Sequence, residues 1–313
     1  MPTLPLYSQS RPNERGVALI MVLGMVAIIA AWATTAAYED MIAINRASNQ
    51  QDEIHAIMAS ESALALTKYY LGEDAKFSTI DDLEEEWAMP LPPFPIDDGL
   101  IALEIEDANR FYNLNDLVDE AGAIQVAKFQ QLQQLFVLLD LQPGLVNALV
   151  DWMDIDNIPY GATGAEDSAY YDKDYHIKNA RLDNLAELRL IAGFDRAIIK
   201  ALSPYVIVRP SNGNTFININ TASEEVLMAL FPNMQQSHAQ ALIESRPYTE
   251  VPSLSSVTWA DGGDLPRLRV VSDAFKVRTH AAFGKANLRE DFLLSRTGNT
   301  VLLLSRERAG WQF

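Results

Sequence analysis

Apolar and polar positions change period along the chain, and each change marks an element. From Val17 to Tyr38, twenty-two residues pass without a charge. At about 1.5 Å per residue, such a run spans roughly 33 Å as an α-helix, enough for the hydrocarbon core of a bilayer. A buried core helix is the alternative, but so long a charge-free run is foreign to soluble domains. Arg11 and Arg15 precede the run, and Glu39 and Asp40 follow it. The positive-inside rule then puts the amino terminus in the cytoplasm and the remainder outside. From Glu39 to about Leu71 the pattern turns amphipathic. Ile54, Ile57, Met58 and Leu64 recur near helical spacing, with Ala56, Ala59 and Ala63 between them. No proline intervenes, and Gly72 reads as the stop. The two stretches predict one long helix, its first half in lipid and its second half packed on a globular head.

The rest alternates between periods. Residues 72–98 are acidic and carry Pro90, Pro92, Pro93 and Pro95, a loop with room for a short helix. Ile101, Leu103 and Ile105 alternate with Ala102, Glu104 and Glu106, the signature of a half-buried strand. Residues 120–210 read as mostly helical. Phe129, Leu132, Phe136 and Leu139 mark one face, Pro143-Gly144 breaks it, and Leu145, Leu149 and Trp152 resume. Leu185 to Leu202 reads as a helical pair about Gly193. Residues 216–223 predict a short strand, then a helix capped by Thr221 or Ser223 with Glu224 and Glu225 in its first turn. Phe275, Val277 and Thr279 alternate again. Residues 291–296 and 300–306 flank Thr297-Gly298-Asn299, a hairpin turn. The pattern predicts an α+β protein whose sheet is interrupted by helices and completed at the end.

Composition narrows the chemistry. The formal net charge is −18 over 313 residues, with 49% apolar residues and no cysteine. So much apolar sequence excludes a disordered chain. The acidic balance argues against a nucleic-acid partner, whose phosphates need a basic surface. It suits a soluble surface or a cation site built from carboxylates. Without cysteine there are no disulfides, zinc thiolates or thiol nucleophiles, though the compartment stays open.

The acid is concentrated in residues 151–174, where seven carboxylates stand against one lysine. Water or a cation must screen that repulsion. Calcium takes six to eight oxygens from an adaptable loop. Asp154, Asp156 and Asn157 sit at near-alternate spacing, turns at Gly161 and Gly164 return Glu166 and Asp167 beside them, and Asp172 and Asp174 offer a second site. The twelve-residue EF-hand spacing is missing, and a solvated acidic loop is the other reading of the same residues. The four histidines, His55, His176, His238 and His280, are scattered, and no HExxH, GxSxG, Walker or dinucleotide motif occurs. Asp151 with Asp154, or Glu166 with Asp167, would be the acid–base pairs of an enzyme, but their clustering suits a hard cation better. No catalytic residue is assigned. Residues 216–254, and more weakly 185–202, resemble the helix-hairpin-helix of periplasmic DNA-uptake receptors. Their turns, Pro232-Asn233-Met234 and Ala192-Gly193-Phe194, lack the glycine pair that exposes amides to phosphate, and Arg196 and Arg246 are isolated.

Arg15-Gly16 stands before the apolar run, an order similar to the type III leader of type IV pilins and pseudopilins. That resemblance implies cleavage after Gly16 by a prepilin peptidase and methylation of the new amino terminus at Val17. The fifth mature residue is Met21, where most pilins carry a glutamate; its absence is the habit of K-type minor pseudopilins. Residues 110–115 (Arg-Phe-Tyr-Asn-Leu-Asn), the Asp151-Trp152 acidic stretch and Ile219-Asn-Thr-Ala-Ser223 extend the likeness over nearly the whole chain. The sequence resembles the general secretion pathway protein K family of type II secretion. The resemblance implies a pilin-like long helix on an antiparallel sheet, with a large inserted all-α domain containing helix-hairpin-helix-like modules. The expected divisions are leader 1–16, transmembrane segment 17–38, first part of the head 39–115, inserted domain 116–215, and 216–313 completing the head. It also implies bound calcium and a single-pass inner-membrane anchor with a periplasmic head. The implied role is a structural one at the pseudopilus tip, starting or limiting growth with the I and J types and the major pseudopilin, without nucleic acid. A type IV minor pilin and an anchored DNA receptor are the alternatives.

Overall fold

The computed structural model describes residues 14–254 and 256–308. The leader expected over residues 1–16 thus lies, up to residue 13, outside the described residues. Helix α1 runs Glu14–Phe77, 64 residues, about 96 Å at 1.5 Å per residue. It has two unlike halves. From Val17 to Tyr38 its apolar side chains pack against nothing: Ile20, Ile28 and Trp32 are each at least 70% exposed. This is the one helix among the described residues long and apolar enough to cross a membrane. From Ala56 onward a stripe of Ala56, Ala59, Ser60, Ala63, Leu64, Thr67 and Leu71 is buried, at the three- and four-residue intervals of one helix face. Small residues dominate it and let the helix lie close on the sheet.

Gly72 does not end the helix. A Cβ there would lie 2.7 Å from the carbonyl oxygen of Asn299. The glycine admits the hairpin tip against the helix barrel, and α1 continues to Phe77.

Strands β1 (Phe94–Ile96) and β2 (Gly99–Asp107) follow. The chain then leaves the sheet through β3 (Tyr112–Asn113), α2 (Val126–Leu138), α3 (Leu145–Met153), α4 (Arg196–Leu202), β4 (Val206–Ile207), β5 (Ile217–Asn218), α5 (Glu224–Leu230), α6 (Gln236–Glu244) and β6 (Leu268–Arg269). It returns as β7 (Ala274–Phe283), β8 (Ala286–Thr297) and β9 (Thr300–Arg308). The antiparallel order is β1-β2-β7-β8-β9. One face, with Ile101, Leu103, Phe275, Val277, Ala281, Phe292 and Leu294, joins the α1 stripe in a core. The other carries charge, such as Arg278 against Glu104 at 2.6 Å and Asp291 at 3.3 Å.

Register fixes where the insertion emerges. Gly99 pairs with Phe283, whose ring meets His55 of α1, and Asp107 pairs with Phe275. Lys285, in the β7–β8 turn, donates its backbone N–H to Asp52 at 3.0 Å. The Gly99 end of the sheet therefore faces the apolar half of α1, and the Asp107 end, where the insertion departs, faces its carboxy terminus.

The insertion is less helical than its pattern predicts. Residues 154–195 contain no α-helix, only short 3₁₀ turns such as Gly161–Thr163 and Asp167–Tyr170. Leu185–Leu190 is also 3₁₀, ending in a left-handed Gly193 before α4, which Asp195 caps. Two cores result, one around Leu132, Phe136, Leu149 and Trp152, the other around Ile217, Val226, Leu230 and Leu268. Ser223 is the cap of α5, accepting from the Val226 N–H.

Arg267, fully buried, ties the two together. Its guanidinium pairs with the equally buried Asp116, donates to Gln131 Oε1 at 3.0 Å and Thr215 O at 2.6 Å, and lies over the Tyr112 ring at 4.8 Å. Removing one partner strands a buried charge. Asp116→Ala is expected to destabilise the protein by about 3–5 kcal/mol in thermal or denaturant unfolding. The double variant with Arg267→Met should recover part of that loss.

Candidate metal centre

The site begins with the end of α3. Asp151 is fully buried in the last turn. Its Oδ1 accepts the Tyr160 N–H at 2.8 Å and its Oδ2 the Ala165 N–H at 2.5 Å. One carboxylate thereby folds the 154–166 segment back over the helix end. Gly164 makes the turn possible, because a Cβ there would stand 2.5 Å from the Tyr160 nitrogen. Trp152 and Tyr170, edge to face at 5.6 Å, wall the loop from the first core.

Folding back brings together Asp154, Asp156 and Glu166, which offer oxygens within 4.8 Å of one another. Asp154 and Glu166 are 3% and 5% exposed. Asp154 Oδ1 and both Glu166 Oε atoms are buried without a hydrogen-bond partner. Three orphaned carboxylate oxygens in one place are costly unless a cation meets them. The electrostatics agree. Burial, then Asp156, Asp151 and Glu166, push the Asp154 pKa up to about 7. Burial, then Asp151 and Asp156, raise Glu166. The carboxy-terminal end of α3 adds the negative pole of its helix dipole. Hard oxygens in this number, on a loop able to adjust, fit calcium.

Of the other four residues expected as ligands, Asp167, Asp172 and Asp174 are not in this cluster. Asn157 Oδ1 accepts from Asn179 Nδ2 at 3.2 Å. Asp167 pairs with His176 Nδ1 at 2.9 Å, and that bond lowers its pKa. Asp172 lies 3.5 Å from Lys173, and both Asp172 and Asp174 are exposed. Sequence spacing did not reveal that Asp151 shapes the loop. Its position one helical turn before Asp154 was the available signal.

In the α5–α6 hairpin the basic side chains have local partners. Arg246 Nη2 donates to the Ala222 carbonyl at 2.6 Å, and burial lowers its pKa to about 10. His238 stacks on Trp259 at 5.4 Å and accepts from the Gln235 N–H. These groups hold the hairpin together.

Comparison with known proteins agrees with this architecture. Residues 110–211 and 217–278 match two family models, both described as type II secretion system (T2SS), protein K. The division between them falls between the two cores of the insertion. Type II secretion system protein K of Pectobacterium carotovorum subsp. carotovorum is 30% identical, across 96% of this chain and 98% of its own length. The protein of the same name from Pseudomonas aeruginosa is 32% identical, across 75% of this chain and 73% of its own. A chain in the crystal structure of the GspK-GspI-GspJ complex from the enterotoxigenic Escherichia coli type 2 secretion system superposes with a TM-score of 0.73 at 26% identity, covering 84% of this chain and 99% of that one. With a long helix on an antiparallel sheet, a helical insertion and full-length relatives all in agreement, this chain belongs to the type II secretion system protein K family.

Proposed function

We propose that the chain is the minor pseudopilin at the tip of the type II secretion pseudopilus. There it joins the I- and J-type minor pseudopilins to start or limit growth and so supports export of folded proteins. The observation that carries the reading is the placement of the insertion. It springs from the Asp107–Phe275 end of the sheet, beside the carboxy terminus of α1, while the apolar half of α1 extends from the opposite end. A bulky domain there obstructs a further subunit stacking above. The exposed Met41, Ile44, Ile54 and Met58 of α1 give neighbours below an apolar surface. The similar solved chain, which comes from a GspK-GspI-GspJ complex, supports the I and J partners. The apolar half of α1 anchors the precursor in the inner membrane, with the amino terminus cytoplasmic and the head periplasmic. Prepilin peptidase cuts between Gly16 and Val17, and the major pseudopilin continues the fibre.

In this reading Asp154, Asp156 and Glu166 hold a calcium ion that fixes the loop of the inserted domain. The orphaned oxygens of Asp154 and Glu166 support this assignment.

Deletion of the gene is expected to abolish exoprotein secretion and leave twitching intact; lost twitching with normal secretion would favour a surface-pilus subunit instead. Gly16→Leu should leave the precursor uncut on a gel, and a normal mature size would contradict the leader assignment.

The calcium site has a pH signature. The folded-state pKa of Asp154 is raised to about 7 from 3.8, so between those values the folded chain holds more protons than the unfolded one. Without divalent cations, stability should fall as pH rises from about 4 to about 7. Calcium should reverse this, by about 2.7 kcal/mol at a hundredfold excess over its dissociation constant, and should bind more weakly below about pH 7. Melting curves in chelator and in calcium across that range measure both effects. Asp154→Asn with Glu166→Gln should remove the part of the calcium response that falls between about pH 4 and about pH 7.

A further inference from the structure

A second group of carboxylates gathers far from the acidic loop. Residues 73–86 carry seven acids and one lysine. Lys76 is engaged by Glu73 at 2.5 Å. Asp74, in the last turn of α1, Asp81, in the following loop, and Glu85 offer oxygens within 4.8 Å of one another. Arg296 of β8 reaches into the group, pairing with Asp81 Oδ2 and lying 3.3 Å from Asp74 Oδ2.

That arginine does not complete the site. Three carboxylates against one guanidinium leave two negative charges, the charge of one divalent cation. The guanidinium takes an Oδ2 from each aspartate. Asp81 is 1% exposed, its Oδ2 also accepts the Ser272 N–H at 2.6 Å, and its Oδ1 is buried with no partner at all. The negative pole of α1 points at the same place. Burial, then Asp81, raise the Asp74 pKa despite Arg296, and burial raises Glu85. Calcium–oxygen distances of 2.3–2.6 Å place opposite ligands about 4.6–5.2 Å apart, so the three carboxylates lie within one ion's reach.

We propose that Asp74, Asp81 and Glu85 form a second calcium site, separate from the acidic loop, with Arg296 as a built-in counter-ion. Its place gives it a task. The Asp81 carbonyl accepts from Asn218 Nδ2 at 2.9 Å, and the Asp81 N–H donates to the Val270 carbonyl at 2.8 Å. Asp81 thus already joins the loop after α1 to the inserted domain, and Arg296 joins it to the sheet. A cation there clamps helix, sheet and insertion at the point where all three meet.

Trp87 supplies the reporter, because its Nε1 donates to Glu85 Oε2 at 2.7 Å. The full chain in detergent, stripped of divalent cations, is loaded with terbium and excited through tryptophan. The background is D154N/E166Q, which disables the acidic loop. Calcium-displaceable terbium emission should persist in that background and fall to baseline on adding Glu85→Gln. Trp87→Phe should remove the emission while calorimetry still detects calcium. Glu85→Gln keeps an oxygen for Trp87 and should melt like its parent in chelator; Asp74→Asn, read the same way, serves if it does not. The site is overturned if D154N/E166Q abolishes all calcium binding, or if neither the Glu85 nor the Asp74 variant lowers the stoichiometry. Failure of the acidic-loop site alone looks different: D154N/E166Q then changes nothing, and the Glu85 variant still removes the bound ion.

Discussion

The fold depends on the pairing of Asp107 with Phe275. The chain departs from the sheet at one and returns at the other, with the whole insertion between them. Their strands are direct antiparallel neighbours, so the insertion must begin and end at one spot. Closing so long a loop carries an entropic cost that grows only slowly with length. The tighter requirement is that the backbone groups at the exit find partners away from water. Asp107 does much of this. It caps the turn through the Asn109 N–H at 2.7 Å and accepts from Asn218 Nδ2 at 2.9 Å and from Thr221 Oγ1 at 2.5 Å. Asn109 in turn accepts the Asp273 and Ala274 N–H groups and donates to the Phe216 carbonyl. The exit strand, the return strand and the second module of the insertion are stitched by short amides and hydroxyls. Burial is complete enough to raise the Asp107 carboxyl above its ordinary range.

A second constraint acts on the helix. The same α1 meets lipid-like exposure at one end and a packed sheet at the other. Its stripe of alanines would make a weak core alone, since each buries little apolar area. The sheet supplies the bulk: Phe275, Phe292 and Leu294 fill the space the alanines leave. One polar cluster sits inside this contact. Glu290, fully buried, receives Ser60 Oγ at 2.7 Å and the Arg306 guanidinium at 2.9 Å, and Arg306 also reaches Glu61. A buried charge held from both sides is costly to leave half-made, so the cluster favours one depth of the helix against the sheet.

Much of this was legible beforehand. The charge-free run is long enough to cross a bilayer, and β2, β7 and the β8–β9 hairpin follow from strict alternation and a Gly298-Asn299 turn. What misled was local chemistry standing for long-range contact. Gly72 resembles a helix stop until Asn299, more than two hundred residues away, is seen above it. Residues 154–195 carry enough leucine and alanine to suggest helix. Asp151 instead commits the first part to a loop through bonds to Tyr160 and Ala165 that no periodicity records. The acidic stretch raised the expectation of a cation site, yet the three carboxylates that converge were inseparable in sequence from the four that do not. Burial made the difference, and burial of Asp154 and Glu166 comes from Trp152 and Tyr170 packing on a core assembled elsewhere. The group at Asp74, Asp81 and Glu85 was harder still. Its fourth member, Arg296, lies at the far end of the chain.

Both carboxylate groups obey one logic. A chain with a formal charge of −18 resists compaction wherever acids crowd together, and this one crowds them at two places where the backbone changes direction: the end of α3 and the end of α1. At the first, no arginine or lysine is brought in among the described residues that form the cluster, and three oxygens are left unmet. At the second, Arg296 meets part of the charge and leaves a buried oxygen over. Without cysteine, the chain has no covalent means of pinning such corners. A hard cation would pin them reversibly, with a grip that follows the local cation concentration. The corners of the insertion and of the helix–sheet junction would then stiffen together wherever that cation is plentiful, which for an anchored chain means the side of the membrane where the head folds.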